Sequence, residues 1–151
     1  MKFMALVRHG NYNSRGLTSD GQEQIGSLGD RLKGLLNGST VAILTSPTRR
    51  AVESADILAR VLDCTTEVHD VLESGGGVYP KCDEVLALVH SWRDSVDAVI
   101  LVTHLEYTED FPRYFFQEEF RVRMFSTNIP KGSAYVIDCH AKTMVHLEPS
   151  N

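Results

Sequence analysis

The sequence has little of what crosslinks a chain or anchors it in a bilayer. Only three cysteines, Cys64, Cys82 and Cys139, occur in 151 residues. Their number is odd and their spacing is not that of metal ligands, so they read as free thiols in a reducing compartment. Long apolar runs are missing as well: "VAIL" and "AVILV" are strand-sized and too short for a membrane span. Only a few apolar residues follow Lys2 before Arg8 and His9 interrupt them, too few for a secretory signal. A cytoplasmic location is therefore expected. Positive charge is scarce: 15 Lys and Arg against 20 Asp and Glu leave a net charge of −5. That balance argues against broad electrostatic binding to nucleic acid or anionic membrane, though a local arginine cluster could still hold one phosphate. With no repeat, low-complexity tract or long linker, residues 1–151 are expected to form one domain, large enough to bury a core.

What is present is an alternation of apolar runs and helical periodicity. Residues 3–7 read as a strand covered on both faces. In "LTSDGQEQIGSLGDRLKGLL", Thr18, Ser19 and Asp20 are capping residues, and Ile25, Leu28, Leu32 and Leu35 recur at helical spacing. "TVAILT" is a second strand. "SPTRRAVESADILARVL" is a second helix, with Ser46 as expected N-cap, Pro47 at the first helical position and an apolar stripe of Ala51, Ala55, Leu58 and Leu62. A short strand in "TTEVHDV", a flexible connection in "ESGGGVYPKCD" and a third helix in "CDEVLALVHSW" come next. "DAVILVTH" is the clearest strand. "EDFPRYFFQEEFRVRMF" is expected to be partly helical, and "SAYVIDCH" and "TMVHLE" to form two strands around a turn at Ala141 and Lys142. The order predicts an α/β fold, a three-layer sandwich with a mostly parallel central sheet.

In such sheets ligands bind beyond the carboxyl ends of the strands. Three predicted strands end there in polar groups: Arg8-His9-Gly10 after the first, Ser46 to Arg50 after the second, and His104 after "AVILVT". Arginine matches phosphate or carboxylate oxygens with a planar fork of donors. Histidine serves as nucleophile or base. Two arginines in the first turn of a helix oppose its dipole, at a cost of about 0.3–1 kcal/mol each unless an anion offsets them. Together Arg8, Arg50, His9 and His104 read as a phosphoryl pocket, with His9 as the nucleophile. No His, Cys, Asp and Glu spacing calls for a metal or a cofactor.

At these residues the chain resembles the histidine phosphatase (phosphoglycerate-mutase-like) superfamily. The resemblance is carried by "RHG", "LTSDGQEQ", "SPTRRAVESA", "VLESGGG" and "LVTH", in family order from Leu6 to His104. The absence of a cap domain, with "THL" and "SAYVI", is most similar to the SixA-type phosphohistidine phosphatases. The resemblance implies a phosphohistidine intermediate on His9 and phosphate ligation by Arg8, Arg50 and His104. Asn13 and Arg15 lie where relatives often supply an asparagine to the phosphate loop. For the proton donor, Glu73 matches the position used by many relatives, while Glu106 has the H-x-E spacing of another branch. Glu73 is preferred. Leu105 stands where the wider superfamily usually has glycine or an acidic residue, which speaks against a mutase.

The other candidates read as structural. Glycines 75–77 lack the lysine and helix of a P-loop and read as a lip. His69, His90, His140 and His146 read as surface or packing residues, and the stripe Phe111, Tyr114, Phe115, Phe116 and Phe120 as core, while whether segment 111–125 closes over the pocket or packs beneath it stays open. The expected function is hydrolysis through phospho-His9 of a phosphorylated protein side chain, phosphohistidine above all. A small phosphoester is the alternative substrate, and a weakly active phosphate-binding or phosphoprotein-binding module the alternative role.

Overall fold

The structure, a computed structural model, describes residues 1–125 and 128–149. Strand β1 (Phe3–Arg8) leads through a small hairpin, β2 (Tyr12–Asn13) and β3 (Gly16–Leu17), into helix α1 (Ser19–Leu35). Then come β4 (Val41–Thr45), α2 (Arg49–Leu62), β5 (Thr66–Val68), a 3-10 turn (Asp70–Leu72) and α3 (Cys82–Ser91). Strand β6 (Ala98–Thr103), α4 (Leu105–Phe120), β7 (Ala134–Asp138) and β8 (Thr143–Leu147) complete the order. The sheet runs β5-β4-β6-β1-β7-β8. β5, β4, β6 and β1 are parallel, and β7 and β8 add an antiparallel edge.

Side-chain alternation along the strands explains the layers. Ala5 and Val7 of β1, with Ile100 and Val102 of β6, face a core built from Ile25, Leu28 and Leu32 of α1 and Ala51, Ala55 and Leu58 of α2. Met4, Leu6, Val99 and Leu101 point the other way, onto Val85 and Val89 of α3 and Tyr107, Phe111 and Phe115 of α4. Two-sided burial is what made these strands read as continuous apolar runs. The sheet is the middle layer of the expected three-layer α/β sandwich.

Several local expectations are corrected. Leu35 is exposed and Leu36 takes its place in the core, because a residue one position further round falls back on the buried face. Helix α2 begins at Arg49 with Thr48 as N-cap, so Ser46 and Pro47 lie outside it. The third strand is only Thr66–Val68. Helix α4 starts directly after His104 and carries Pro112 inside it. A proline in a helix interior removes a backbone bond and crowds the preceding turn. Here the turn before it is held by tertiary packing: Tyr107, Thr108 and Phe111 are buried, and the Tyr107 hydroxyl accepts the Lys81 amide at 2.8 Å. The aromatic residues after Pro112 pack beneath the sheet, Phe115 and Phe116 both edge-on to Phe120. Phe125, at the end of that segment, is exposed.

Candidate active site

Strand register places the polar ends side by side. Arg8 pairs with Thr103 across β1 and β6, so His9 and His104 leave the sheet together. The His9 amide still donates to the Thr103 carbonyl at 3.3 Å, and the Ser46 amide to Val102 at 3.0 Å. The loop after β1 is then anchored from three sides. Gly10 N–H donates to Ser54 Oγ at 3.1 Å, and that hydroxyl donates to the Arg50 carbonyl at 2.7 Å. From the β7 side, the Gly132 amide donates to the carbonyls of both Arg8 and His9, at 3.1 and 3.0 Å. Gly10 is required by a close approach to α1: a Cβ there would lie 2.8 Å from the Gly21 carbonyl oxygen and 3.1 Å from Ile25 Cγ1. That contact, with helix backbone, is the reason for the glycine of "RHG".

The two histidines are nearly inaccessible, 4% and 3% exposed, with ring centroids 5.2 Å apart. His9 Nδ1 lies 3.0 Å from the Gly10 carbonyl oxygen, which only accepts, so Nδ1 carries the hydrogen and Nε2 the lone pair. Arg50 Nε donates to that lone pair at 3.2 Å. Arg50 Nη2 lies 3.4 Å from His104 Nδ1, and His104 Nε2 lies 2.8 Å from Ser46 Oγ. Burial is the main cause that pushes His9 down to about 3, with His104, Arg50 and Arg8 adding to it and the Gly10 hydrogen bond opposing. Burial likewise lowers His104 to about 4, helped by Arg50 and Arg8. Both imidazoles are neutral at pH 7.

These groups line an open cleft of about 520 Å³, together with Tyr12, Thr48, Glu73, Ser74, Glu106 and Lys131. Arg8 Nη1 donates to the Ile129 carbonyl at 3.0 Å, but among the described residues its buried Nε has no partner, nor does the buried Thr48 Oγ1. Thr48 caps α2 without a side-chain hydrogen bond, leaving the helix N-terminus open to the cleft. Unpaired buried donors beside two guanidinium groups suit an anion.

Both candidate acids reach this cleft, in different surroundings. Glu106, in the first turn of α4, accepts from Ser74 Oγ at 2.9 Å. The Glu73 carboxylate has no hydrogen-bond partner among the described residues. The glycine lip forms a tight turn, with Gly75 and Val78 exchanging backbone bonds at 2.8 and 3.0 Å. Gly76 and Gly77 both have positive φ, the conformation that primed turns demand. Asn13 and Arg15 sit on the exposed turn of the β2–β3 hairpin, where Asn13 Oδ1 accepts the Arg15 amide at 2.8 Å, and neither lines the cleft.

Sequence reading missed Tyr12, Ser74, Thr48 and Lys131. The Arg50 guanidinium carbon lies 4.6 Å and Lys131 Nζ 5.2 Å from the Tyr12 ring centroid. The same ring meets His9 edge-on. The "NYN" hairpin gave no periodic signal, and Lys131 arrives only through β7. Away from the cleft, His69 pairs with Glu67, His90 with Glu119 and His146 with Glu148. Among the described residues no group of His, Cys, Asp and Glu is arranged to hold a metal, and no helix is long and apolar enough to cross a membrane.

The same architecture occurs in solved structures. The histidine phosphatase SixA complexed with tungstate superposes with a TM-score of 0.70, at 20% identity over 97% of each chain. A Nakamurella multipartitia protein assigned as the phosphohistidine phosphatase SixA gives 0.74, at 18% identity over 99% of this chain and 97% of that one. A phosphoglycerate mutase from Plasmodium falciparum gives 0.60, at 22% identity over 97% and 89%. Identities this low speak to the fold alone. The curated proteins yield no significant sequence match. Residues 4–79, half of the chain and including Arg8, His9, Arg50 and Glu73, match the family model of the histidine phosphatase superfamily, branch 1. The chain belongs to that superfamily.

Proposed function

We propose that the protein is a phosphatase that takes a phosphoryl group onto His9 Nε2 and passes it to water, with a phosphorylated protein side chain, foremost phosphohistidine, as substrate. The observation that carries this reading is the state of His9. It is neutral, it is held by Gly10 with its Nε2 lone pair outward, and that lone pair lies among Arg50, Arg8 and His104.

In the first step Nε2 attacks phosphorus, the Nε2–P bond forms, and the substrate's P–N or P–O bond breaks with the electron pair leaving on the departing atom. Arg8 and Arg50 neutralise the charge spread over the equatorial oxygens. The Nδ1–H bond to the Gly10 carbonyl steadies the positive charge that develops on the ring. An imidazole leaves readily after protonation, whereas an alkoxide needs a proton from Glu73 or Glu106. In the second step water attacks phosphorus, the Nε2–P bond breaks, and the water's proton passes to the carboxylate. Inorganic phosphate and the original His9 result.

A protein substrate suits the cleft because its histidine floor is recessed while two apolar residues of its lining are exposed: Tyr12 is 42% and Val78 44% accessible. A side chain projecting from a folded surface can reach the floor while its own backbone meets those two residues. The test is rapid quench after mixing with labelled phosphohistidine protein, and separately with an aryl phosphate. An acid-labile, base-stable label on the wild type that is missing from His9→Ala supports the reading. Equal, slow phosphate release by both proteins overturns it. Faster turnover of the aryl phosphate than of the phosphoprotein would shift the substrate to a small phosphoester.

A further inference from the structure

Ser46 directly follows β4 and takes no part in capping α2, yet it is completely buried. Its Oγ lies 2.8 Å from His104 Nε2 and 3.4 Å from the Thr48 amide nitrogen. Two of the surrounding groups can only donate: the Thr48 amide, and Arg50 Nη2 at 3.4 Å from His104 Nδ1. The Arg50 donor fixes the direction of the link to Ser46, and the Thr48 amide takes a lone pair of the serine oxygen. Nδ1 of His104 carries a lone pair, Nε2 carries the hydrogen, and Ser46 Oγ accepts it with one lone pair while receiving the Thr48 amide with the other. His104 is therefore held in the tautomer opposite to that of His9, whose hydrogen sits on Nδ1 against Gly10.

We propose that Ser46 is a positioning residue, which fixes the tautomer and orientation of His104 so that Nδ1 is the atom presented to a phosphoryl oxygen. The proposal deepens the phosphatase reading and rests on it for the identity of the ligand. A phosphoryl oxygen can be bound at Nδ1 only if that atom bears a hydrogen. It gains one by proton uptake with the ligand, from water or from the phosphate monoanion, while Nε2–H stays on Ser46. The resulting imidazolium donates in two directions, and the serine oxygen stabilises it from behind. Besides Ser46 and the ligand, the groups bearing on the ring are His9 and Arg8 from the β1 side and Arg50 from α2. The carboxylates of Glu73 and Glu106 line the same cleft from the loop before α3 and from α4.

The test compares wild type, Ser46→Ala and Ser46→Thr, with Ser46→Cys as a second, near-isosteric replacement if the threonine methyl is not accommodated. In ligand-free protein, nitrogen-15 NMR of the His104 ring should show a single Nε2–H tautomer in the wild type. Ser46→Ala leaves that hydrogen buried without an acceptor, so the single-tautomer pattern should be lost. Vanadate affinity should fall about 10-fold to 100-fold with the melting transition still cooperative. Ser46→Thr should restore both, and Ser46→Cys, a weaker acceptor, should restore them partly. The proposal is overturned if Ser46→Ala keeps the wild-type nitrogen pattern, or if all the replacements lose affinity equally while His104 is unperturbed. The ring spectrum needs no ligand. A cleft in which even wild type failed to bind vanadate would count against the phosphatase reading, while the spectrum alone would still decide whether Ser46 sets the tautomer.

Discussion

Nε of Arg50 lies 3.2 Å from Nε2 of His9, so the cation expected to hold the substrate covers the lone pair expected to attack it. The guanidinium spans both histidines, with Nη2 toward His104 at 3.4 Å, and its face rests on the Tyr12 ring. An arriving phosphoryl group must draw the guanidinium onto its own oxygens and thereby uncover the nucleophile. On the proposed mechanism, ligand binding and exposure of the attacking atom are one event.

Removing that cation should have two separable effects. Arg50→Ala should lower kcat/KM by about 100-fold or more, the order seen when one charge-stabilising donor is lost. It should also raise the pKa of His9 from about 3, because Arg50 is one of the charges that depress it. Steady-state kinetics check the first effect and an NMR titration of the His9 ring the second.

Stability should fall on mild acidification, for a reason located in the cleft. His9 at about 3 and His104 at about 4 both lie below the ordinary histidine value of 6.5. Above pH 6.5 neither folded nor unfolded chain protonates them, so their contribution is constant. Between pH 6.5 and 5 the unfolded chain takes up two protons that the folded chain refuses. Each refusal approaches a loss of about 1.4 kcal/mol per pH unit. Urea unfolding at pH 7.5, 6.5 and 5.5 should show the decline, and His104→Gln should show a shallower one.

The two carboxylates should separate by substrate. Glu106 already accepts from the Ser74 hydroxyl at 2.9 Å, so a departing oxygen must compete with that serine for the carboxyl group. Glu73→Gln should lower turnover of an alkyl phosphate by about 100-fold, and Glu106→Gln by less. With phosphohistidine, the first step, transfer of the phosphoryl group onto His9, should change little in either, since imidazole is the easier leaving group. Comparison of kcat on the two substrates checks this.

Gly10→Ala should be costly although it adds one methyl group. Its Cβ would meet the Gly21 carbonyl at 2.8 Å, a helix backbone atom that cannot move aside cheaply. Overpacking of this kind costs about 1–3 kcal/mol, or roughly 2–12 °C in Tm for a domain of this size. Differential scanning calorimetry checks it.

The sheet and the four central site residues were legible because strand and site follow from one pattern. Strands buried on both faces give unbroken apolar runs, and Arg8, His9, Arg50 and His104 stand where those runs stop. What stayed hidden depends on contacts between distant segments. Ser46 looks like an N-cap beside Pro47, and only the register of β4 on β6 turns it toward His104. Pro112 obscures where its helix starts, and only the packing of Tyr107 and Phe111 continues the helix through it. Tyr12 comes from a two-residue strand, too short for any periodicity to register.

The Gly132 amide joins the carbonyls of Arg8 and His9, and Ile129 takes one arm of Arg8. On the ribosome, both histidines and both arginines emerge before these residues do. A nascent chain can therefore carry the whole quartet while its loop, held by Thr103 and Ser54, still lacks the clasp that comes with the segment before β7. The quartet's loop thus gains its last fastening late in synthesis, from a segment that supplies no member of the quartet.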